Sequence, residues 1–203
     1  MFGDLTSKDF QDNKTCIVQI LNCVAIRAHG LSESLSRKYP YCNMYTKRRP
    51  IKNLNRAVLQ DRPLPGTLDI CRPSSHPIVE PLVANLYAQY YMGKERNRNY
   101  MSWRLTKSLQ DTCDSSCTDP NLLAGLLADT QENRIKWFRD ALNKLLEQIP
   151  EEDIERVIFP YRIGCGLAGG NWSVHYLPAI KDFSTEASKR GVSTLIVRLV
   201  TTG

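Results

Sequence analysis

The sequence lacks the features that would place it in a membrane or in a secretory pathway. No run of about 18 apolar residues occurs among its 203 residues, so no transmembrane helix is expected. The stretch MFGDLTSKDF at 1–10 carries an early acidic residue and has no apolar central segment, so no signal peptide is expected. From these absences we predict that the protein does not associate with a membrane.

Common nucleotide-binding and metal-binding signatures are missing or weak. No segment matches G-x-x-x-x-G-K-[ST], which argues against a P-loop NTPase. Gly164, Gly166 and Gly169 do have the spacing G-x-G-x-x-G, but this segment lies late in the chain, so the spacing alone is weak evidence for NAD. A structural zinc site needs four ligands, usually in two close pairs, and no second pair accompanies Cys113 and Cys117, so we expect no bound metal. We also expect no cofactor.

Cysteine and basic residues are plentiful by comparison. The seven cysteines are odd in number and most lie in apolar segments, which is typical of reduced thiols in the cytoplasm or the nucleus. The net charge of +6 favours a polyanionic ligand or nucleic acid, although a solvated surface has the same charge. Because no nucleic-acid motif is present, a nucleic-acid-binding module that uses the basic segment 47–56 is a remote alternative.

Strand-like and helix-like patterns alternate along the chain. Apolar, β-rich runs predict five strands, at 16–26, 67–72, 81–89, 155–163 and in the final STLIVRLV. Helical spacing of apolar residues predicts three helices, at 31–39, 131–149 and roughly 172–189. Alternation of this kind indicates an α/β sandwich around a mostly parallel sheet, with ligands at the carboxyl ends of the strands.

Two regions depart from the alternation. Residues 43–65 are basic and rich in proline, which predicts a long loop with a short helix. Around 91–130 the pattern weakens, and we interpret this region as an insertion with one short helix near NLLAGLLAD. Residues 1–203 are therefore expected to form a single domain that carries this insertion.

Two strand-to-helix junctions are rich in small residues. The junction at 157–172 contains Gly164, Gly166, Gly169 and Gly170, and the junction at 22–32 contains NCVAIRAHGLS. Backbone N–H groups next to a helix N-terminus suit an anion, most often a phosphate, and two such junctions suit a diphosphate. A tight turn whose glycines serve only packing has the same pattern.

Three stretches resemble macro domains, the modules that bind ADP-ribose. GDL at 3–5 resembles the family's GD(I/L) element, and NCV at 22–24 through KYP at 38–40 resembles the loop and helix that hold the distal ribose. RIGCGLAGGNW at 162–172 is similar to the diphosphate loop R-I-G-C-G-L-A-G-G-D-W. The resemblance implies a three-layer α/β/α sandwich with a mixed, mostly parallel central sheet.

The resemblance also implies a set of ligand-binding residues, in which an aspartate accepts a hydrogen bond from the adenine amino group. Carried over position by position, the set is Asp4, Leu5, Asn22, Cys23, His29, Gly30, Leu31, Ser32, Gln89, Ile163, Gly164, Cys165, Gly166, Leu167, Ala168, Gly169, Gly170, Asn171 and Trp172.

The sequence departs from the branch of the family that it most resembles. That branch includes terminal ADP-ribose glycohydrolases of proteins and DNA, and yeast-type ADP-ribose-1″-phosphate phosphatases. Where the glycohydrolases have a catalytic lysine and a loop aspartate, this chain has Gln89 and Ala168, and Asn171 replaces the aspartate before the tryptophan. Because glutamine and alanine cannot act as amine nucleophile, acid or base, we expect the Lys/Asp covalent mechanism to be absent.

His29 departs from the family pattern in the opposite direction, because that position commonly holds a small or basic residue. Histidine transfers protons near neutral pH, although a loop histidine that only contacts phosphate has the same pattern. We predict a hydrolase of a group on the distal ribose, with Asn22, His29 and Asn171 around it. The group is an ADP-ribosyl linkage, an acyl ester or a 1″-phosphate. The alternative is a reader that binds ADP-ribose without turnover.

The expected partners follow from these hypotheses. They are ADP-ribose itself and ADP-ribosylated protein or nucleic acid, with a weak nucleic-acid contact through 47–56 as a further hypothesis. We expect a monomer.

Overall fold

The computed structural model describes residues 2–3, 10–74, 80–94 and 129–199. The strands are β1 (Phe2–Gly3), β2 (Thr15–Asn22), β3 (Leu68–Cys71), β4 (Leu82–Gln89), β5 (Arg156–Pro160) and β6 (Ser193–Leu199). The α-helices are α1 (Leu31–Lys38), α2 (Gln131–Gln148) and α3 (Leu177–Ser188). Short 3₁₀ helices span Pro40–Cys42, Met44–Lys47 and Leu59–Asp61, and a π-helical turn spans Trp172–Tyr176.

The strands form one mixed, mostly parallel sheet. Its order is β1-β6-β5-β2-β4-β3, and only β3 runs antiparallel to its neighbour. β2 lies in the interior between β4 and β5, where Ile17 pairs with both Val83 and Ile158. A strand covered on both faces must be apolar throughout, which explains the continuous apolar run in this segment.

Helices cover both faces of the sheet, which confirms the three-layer α/β/α sandwich. Alternate residues of β2 point to opposite faces. Cys16 and Val18 pack in the core formed with α2 and α3, whereas Ile17 packs with Leu35 of α1. Thr130 caps α2, because its side chain accepts a hydrogen bond from the backbone N–H of Asn133 at 3.3 Å. Within the described residues, no helix has the length and apolarity needed to cross a membrane.

Two strands end earlier than the sequence predicts. β2 ends at Asn22 rather than at residue 26, because the Asn22 side chain folds back onto the N–H groups that follow it. β5 ends at Pro160 rather than at residue 163, because the N–H of Ile163 donates to Pro160 O at 3.1 Å and closes a turn. Arg162 lies in this turn with a positive φ of 60°.

The last helix also begins differently from the prediction. Residues 172–176 form the π-helical turn, and the α-helix starts only at Leu177. Most of the predicted insertion lies outside the described residues, as does its short helix. In the 43–65 region the single short helix of the prediction is replaced by two 3₁₀ turns.

Candidate functional site

An open cleft of about 320 Å³ lies at the carboxyl ends of β2, β4 and β5. Its walls are the first loop (residues 23–30), the β4 turn (residues 90–94) and the glycine loop (residues 161–171). The predicted site residues that line it are Asn22, His29, Leu31, Ser32, Gln89, Ile163, Gly164, Gly166, Leu167 and Ala168. The structure therefore brings both glycine-containing junctions to one cavity.

Asn22 shapes the start of the first loop. Its Oδ1 accepts hydrogen bonds from the N–H groups of Ala25 at 2.7 Å and Val24 at 3.2 Å. Its Nδ2 donates to the Tyr45 hydroxyl at 3.1 Å. Most of the hydrogen-bonding capacity of this amide is thus used inside the protein, and one N–H of Nδ2 is left for a ligand.

His29 and Ser32 form the turn that leads into α1. The N–H of His29 donates to Ser32 Oγ at 3.1 Å, and the same hydroxyl donates to His29 O at 2.9 Å. Gly30 follows with a positive φ of 57°, which glycine adopts without steric cost. These backbone contacts hold the turn while the exposed His29 lines the cleft.

Gln89 builds a wall of the cleft. Its Nε2 donates to Gly93 O at 3.0 Å and also to Tyr91 O, so both amide hydrogens hold the β4 turn. At the position where the resemblance places a catalytic lysine, this chain has a side chain that shapes the loop next to it.

A buried ion pair connects two walls of the cleft. The side chains of Arg134 and Asp129 are 1% and 2% exposed, and two N···O distances of 2.7 Å join them. Nη1 of Arg134 donates to Gly93 O at 2.9 Å and to Ala168 O at 3.2 Å. Asp129 accepts from the N–H of Tyr91 at 3.0 Å. The pair therefore ties the β4 turn to the glycine loop.

Our sequence reasoning missed this pair. A signal was present, because Arg134 stands four residues before Phe138 and so occupies the apolar face of α2. A charged residue at such a position indicates a buried partner. Other lining residues that the sequence analysis did not single out are Ile20, Arg27, Tyr45, Met92, Gly93, Pro160, Tyr161 and Arg162.

The glycines of the glycine loop serve different purposes. A Cβ on Gly164 would lie 2.4 Å from the Tyr176 ring, and a Cβ on Gly170 would lie equally close. Gly169 has a positive φ of 73°. A Cβ on Gly166, by contrast, would meet no atom within 4 Å. Packing and backbone conformation thus require three of the glycines, and at Gly166 the missing side chain leaves the cleft open.

Several backbone N–H groups of the glycine loop are unpaired. The N–H groups of Cys165 and Gly169 close turns inside the loop, at 3.0 Å each. In the described part of the chain, the N–H groups of Gly166, Leu167 and Ala168 have no acceptor, and these residues line the cleft. Successive unpaired amides form a concave site for an anion.

The charge of the cleft suits the same kind of ligand. Arg27, Arg162 and His29 line it, and none of the lining residues that the structure describes is acidic. The N-terminus of α1 also lies at the cleft, with Leu31 and Ser32, and adds the positive end of a helix dipole. The site therefore favours an anion at more than one position.

Comparisons with known proteins agree with this architecture. Neither family models nor curated proteins match the sequence. Solved structures do match: the macrodomain of Mycobacterium tuberculosis DarG is 17% identical with a TM-score of 0.56, over 97% of this chain and 94% of that one. The macrodomain of Thermus aquaticus DarG is 13% identical with a TM-score of 0.54, over 97% and 95% of the two chains. The chain has the macrodomain fold.

A structure with the same fold has been solved with a ligand. Thermosipho africanus DarTG in complex with ADP-ribose is 14% identical with a TM-score of 0.58. The match covers 99% of this chain and 41% of that one. Likeness at this level of identity establishes the fold, and the branch within the macro domains stays a prediction.

Some predicted site residues do not line the cleft of this macrodomain fold. Asn171 is one of them: its Oδ1 accepts from the N–H of Val174 at 3.1 Å and caps the following helical turn, and its place at the distal ribose stays a prediction. Cys23 is fully buried. Trp172 packs edge-on against the Tyr161 ring, with the two ring centroids 5.2 Å apart. Gly30, Cys165, Gly169 and Gly170 flank the cleft without lining it.

Two observations bear on thiol and metal chemistry in the described residues. Burial raises the pKa of the Cys165 thiol, which lowers its reactivity as a nucleophile. Among the described ranges, no group of three or more His, Cys, Asp or Glu side chains is arranged to hold a metal ion. Asp4 and Leu5, and the Cys113–Cys117 pair, lie outside these ranges.

Proposed function

We propose that this macrodomain fold binds ADP-ribose in the cleft between the first loop and the glycine loop. The observation that carries the proposal is the run of unpaired N–H groups at Gly166, Leu167 and Ala168, which supplies donors for a phosphate group. Arg27 and Arg162 add positive charge on the walls of the same cleft. The ADP-ribose complex of the Thermosipho protein, which shares the fold, supports the choice of ligand.

In this proposal the diphosphate lies against the glycine loop and the N-terminus of α1. Both ends of the diphosphate then meet backbone donors and a favourable helix dipole. The distal ribose lies toward Asn22 and His29, and the remaining N–H of Asn22 Nδ2 is available to a ribose hydroxyl.

Titration calorimetry with ADP-ribose tests the proposal. Gly166→Leu places a side chain where a Cβ has no neighbour within 4 Å, so the fold should survive while the cleft is obstructed. We expect binding at least about tenfold weaker, equivalent to about 1.4 kcal/mol. Ser173→Leu places the same leucine side chain at an exposed position outside the cleft and serves as the matched control.

Two results would contradict the proposal. One is the absence of binding heat for the unmodified protein at ligand concentrations of about 1 mM, a threshold that corresponds to about −4.1 kcal/mol. The other is equal affinity of the Gly166→Leu variant and the unmodified protein.

Hydrolysis of a group on the distal ribose is a second candidate function. The observation that favours it is the exposed His29 at the cleft, which can exchange a proton between a bound water and the leaving group. The lining residues that the structure describes include no lysine and no carboxylate, so His29 is the group to test. The possible substrates are ADP-ribosylated protein or nucleic acid, an acyl ester of ADP-ribose and ADP-ribose-1″-phosphate.

A panel of these substrates separates an enzyme from a reader. If His29 transfers the proton, His29→Ala should lower turnover by roughly 10²- to 10⁴-fold while ADP-ribose binding changes little. Turnover of no substrate by the unmodified protein would leave ADP-ribose binding alone as the function. Weaker binding with unchanged turnover would make His29 a ligand contact.

A further inference from the structure

A second cavity, of about 290 Å³, lies behind the first loop and is separate from the cleft. Segments 44–48 and 60–63 form part of its wall, and Asp69 of β3 and Tyr87 of β4 complete it. Three of its lining side chains are basic, namely Lys47, Arg48 and Arg62. None of these was assigned a role in the cleft.

Arg48 is held rigidly and leaves one donor group unused. The residue is only 7% exposed, and its Nη1 donates to Ala25 O at 2.7 Å and to Asn22 O at 2.9 Å. Its guanidinium carbon lies 4.7 Å from the centre of the Tyr45 ring and 5.6 Å from that of Tyr87. Its Nη2 is buried and has no hydrogen-bond partner in the described structure.

Arg62 is held in a similar way. Its Nε donates to Ala57 O at 3.0 Å, and its Nη1 donates to the Tyr90 hydroxyl at 3.3 Å. Its Nη2 is also buried without a partner among the described residues. Both residues line the second cavity, and each holds one buried donor without an acceptor among the described residues.

The two acidic residues that line the cavity, Asp61 and Asp69, are hydrogen-bonded to side chains other than Arg48 and Arg62. Asp61 accepts from Nη2 of Arg49 at 2.7 Å and from its backbone N–H at 2.7 Å, and Arg49 lowers the pKa of this carboxyl group to about 2. Asp69 accepts from the Tyr87 hydroxyl at 2.5 Å. No hydrogen bond or ion pair joins either carboxylate to Arg48 or Arg62 in the described structure.

We propose that the second cavity binds a phosphate-like oxyanion at the guanidinium groups of Arg48 and Arg62, with the exposed Lys47 on the same wall. A buried donor without an acceptor is unfavourable, and an oxyanion supplies acceptors to both guanidinium groups at once. Rigid guanidinium groups are the side chains best suited to this geometry. The oxyanion is free phosphate or a phosphodiester of nucleic acid, which share this chemistry.

Calorimetric titration with inorganic phosphate, with and without saturating ADP-ribose, tests the site. We expect phosphate to bind in both conditions, and Arg62→Gln to weaken this binding by at least about tenfold. Lys47→Gln should weaken it by about threefold, since Lys47 is exposed and adds charge without a fixed contact. The control is Lys52→Asn, which removes one charge from the same basic segment outside the cavity and suits the positive φ of 47° at that position.

The outcomes distinguish this site from the cleft. Absence of phosphate binding in the presence of ADP-ribose, or equal phosphate affinity in Arg62→Gln and the unmodified protein, would overturn the proposal. If the Arg62→Gln variant unfolds at a lower temperature than the unmodified protein, the phosphate affinities of Lys47→Gln and Lys52→Asn are compared instead. Equal affinities of these two variants would then overturn the proposal. The titrations of phosphate into the variants without ADP-ribose test the second cavity even if ADP-ribose does not bind in the cleft. Competition by a short single-stranded oligonucleotide would identify a phosphodiester as the ligand, and its absence would identify a free oxyanion.

Discussion

Replacing Arg134 by methionine should cost the protein much of its stability. The substitution keeps an unbranched stem and removes the charge, so Asp129 is left only 2% exposed without a counter-ion. Removing one partner of a buried ion pair typically costs about 3–5 kcal/mol. For a domain of this size, each kcal/mol lowers the melting temperature by about 2–4 °C, so we expect a loss of roughly 6–20 °C.

Arg139→Met is the matched control on the same helix. Arg139 pairs with Asp182 at 2.7 Å, but these side chains are 44% and 65% exposed, and exposed pairs contribute only about 0–1 kcal/mol. Thermal and urea unfolding followed by circular dichroism measure both variants. If Arg134→Met costs no more than Arg139→Met, the assignment of stability to the buried pair is wrong.

The same variant tests whether the pair positions the cleft. Arg134 fixes the carbonyl groups of Gly93 and Ala168, so its loss should also weaken ADP-ribose binding at temperatures where the variant is fully folded. Unchanged ADP-ribose affinity in a less stable variant would show that the pair stabilises the fold without positioning the loops.

Three further predictions follow from individual contacts. Gly164→Ala should lower the melting temperature, because a Cβ would lie 2.4 Å from the Tyr176 ring. Gly166→Ala should change the melting temperature much less, and equal melting temperatures of the two variants would contradict the packing argument. Asn171→Ala should cost about 0.5–2 kcal/mol in urea unfolding through loss of the helix cap. If the cap is the whole role of Asn171, turnover stays unchanged, and a large loss of turnover would support the predicted catalytic role. Burial raises the pKa of Tyr176 from 10.0 to about 12, so the folded state keeps a proton that the unfolded state releases. Stability should therefore fall as pH rises from about 10 through about 12, in step with tyrosinate absorbance, and no fall across this range would contradict the assignment.

The secondary structure could be predicted from the sequence where local pattern and tertiary environment agree. The apolar run of β2 and the apolar spacing of α2 require burial in any fold, and both elements are present. The ends of elements were predicted less well. The end of β2 depends on hydrogen bonds from Val24 and Ala25 to the Asn22 side chain, which periodicity does not reveal. A location in the cytoplasm or nucleus and a monomeric state stay predictions.

The candidate site was also predicted in part from the sequence and decided in part by the tertiary structure. Sequence alone determined the two small-residue junctions and their resemblance to macro domains, because these features lie in contiguous residues. Only the tertiary structure decided which of those residues reach the cleft. Asn171 is used as a helix cap and Gly164 is required by Tyr176, and both facts depend on atoms that fold against the loop. The Asp129–Arg134 pair is local in the chain, but the contacts of Arg134 with Gly93 and Ala168 join distant segments, as does the cavity around Arg48 and Arg62. Long-range packing determines such contacts.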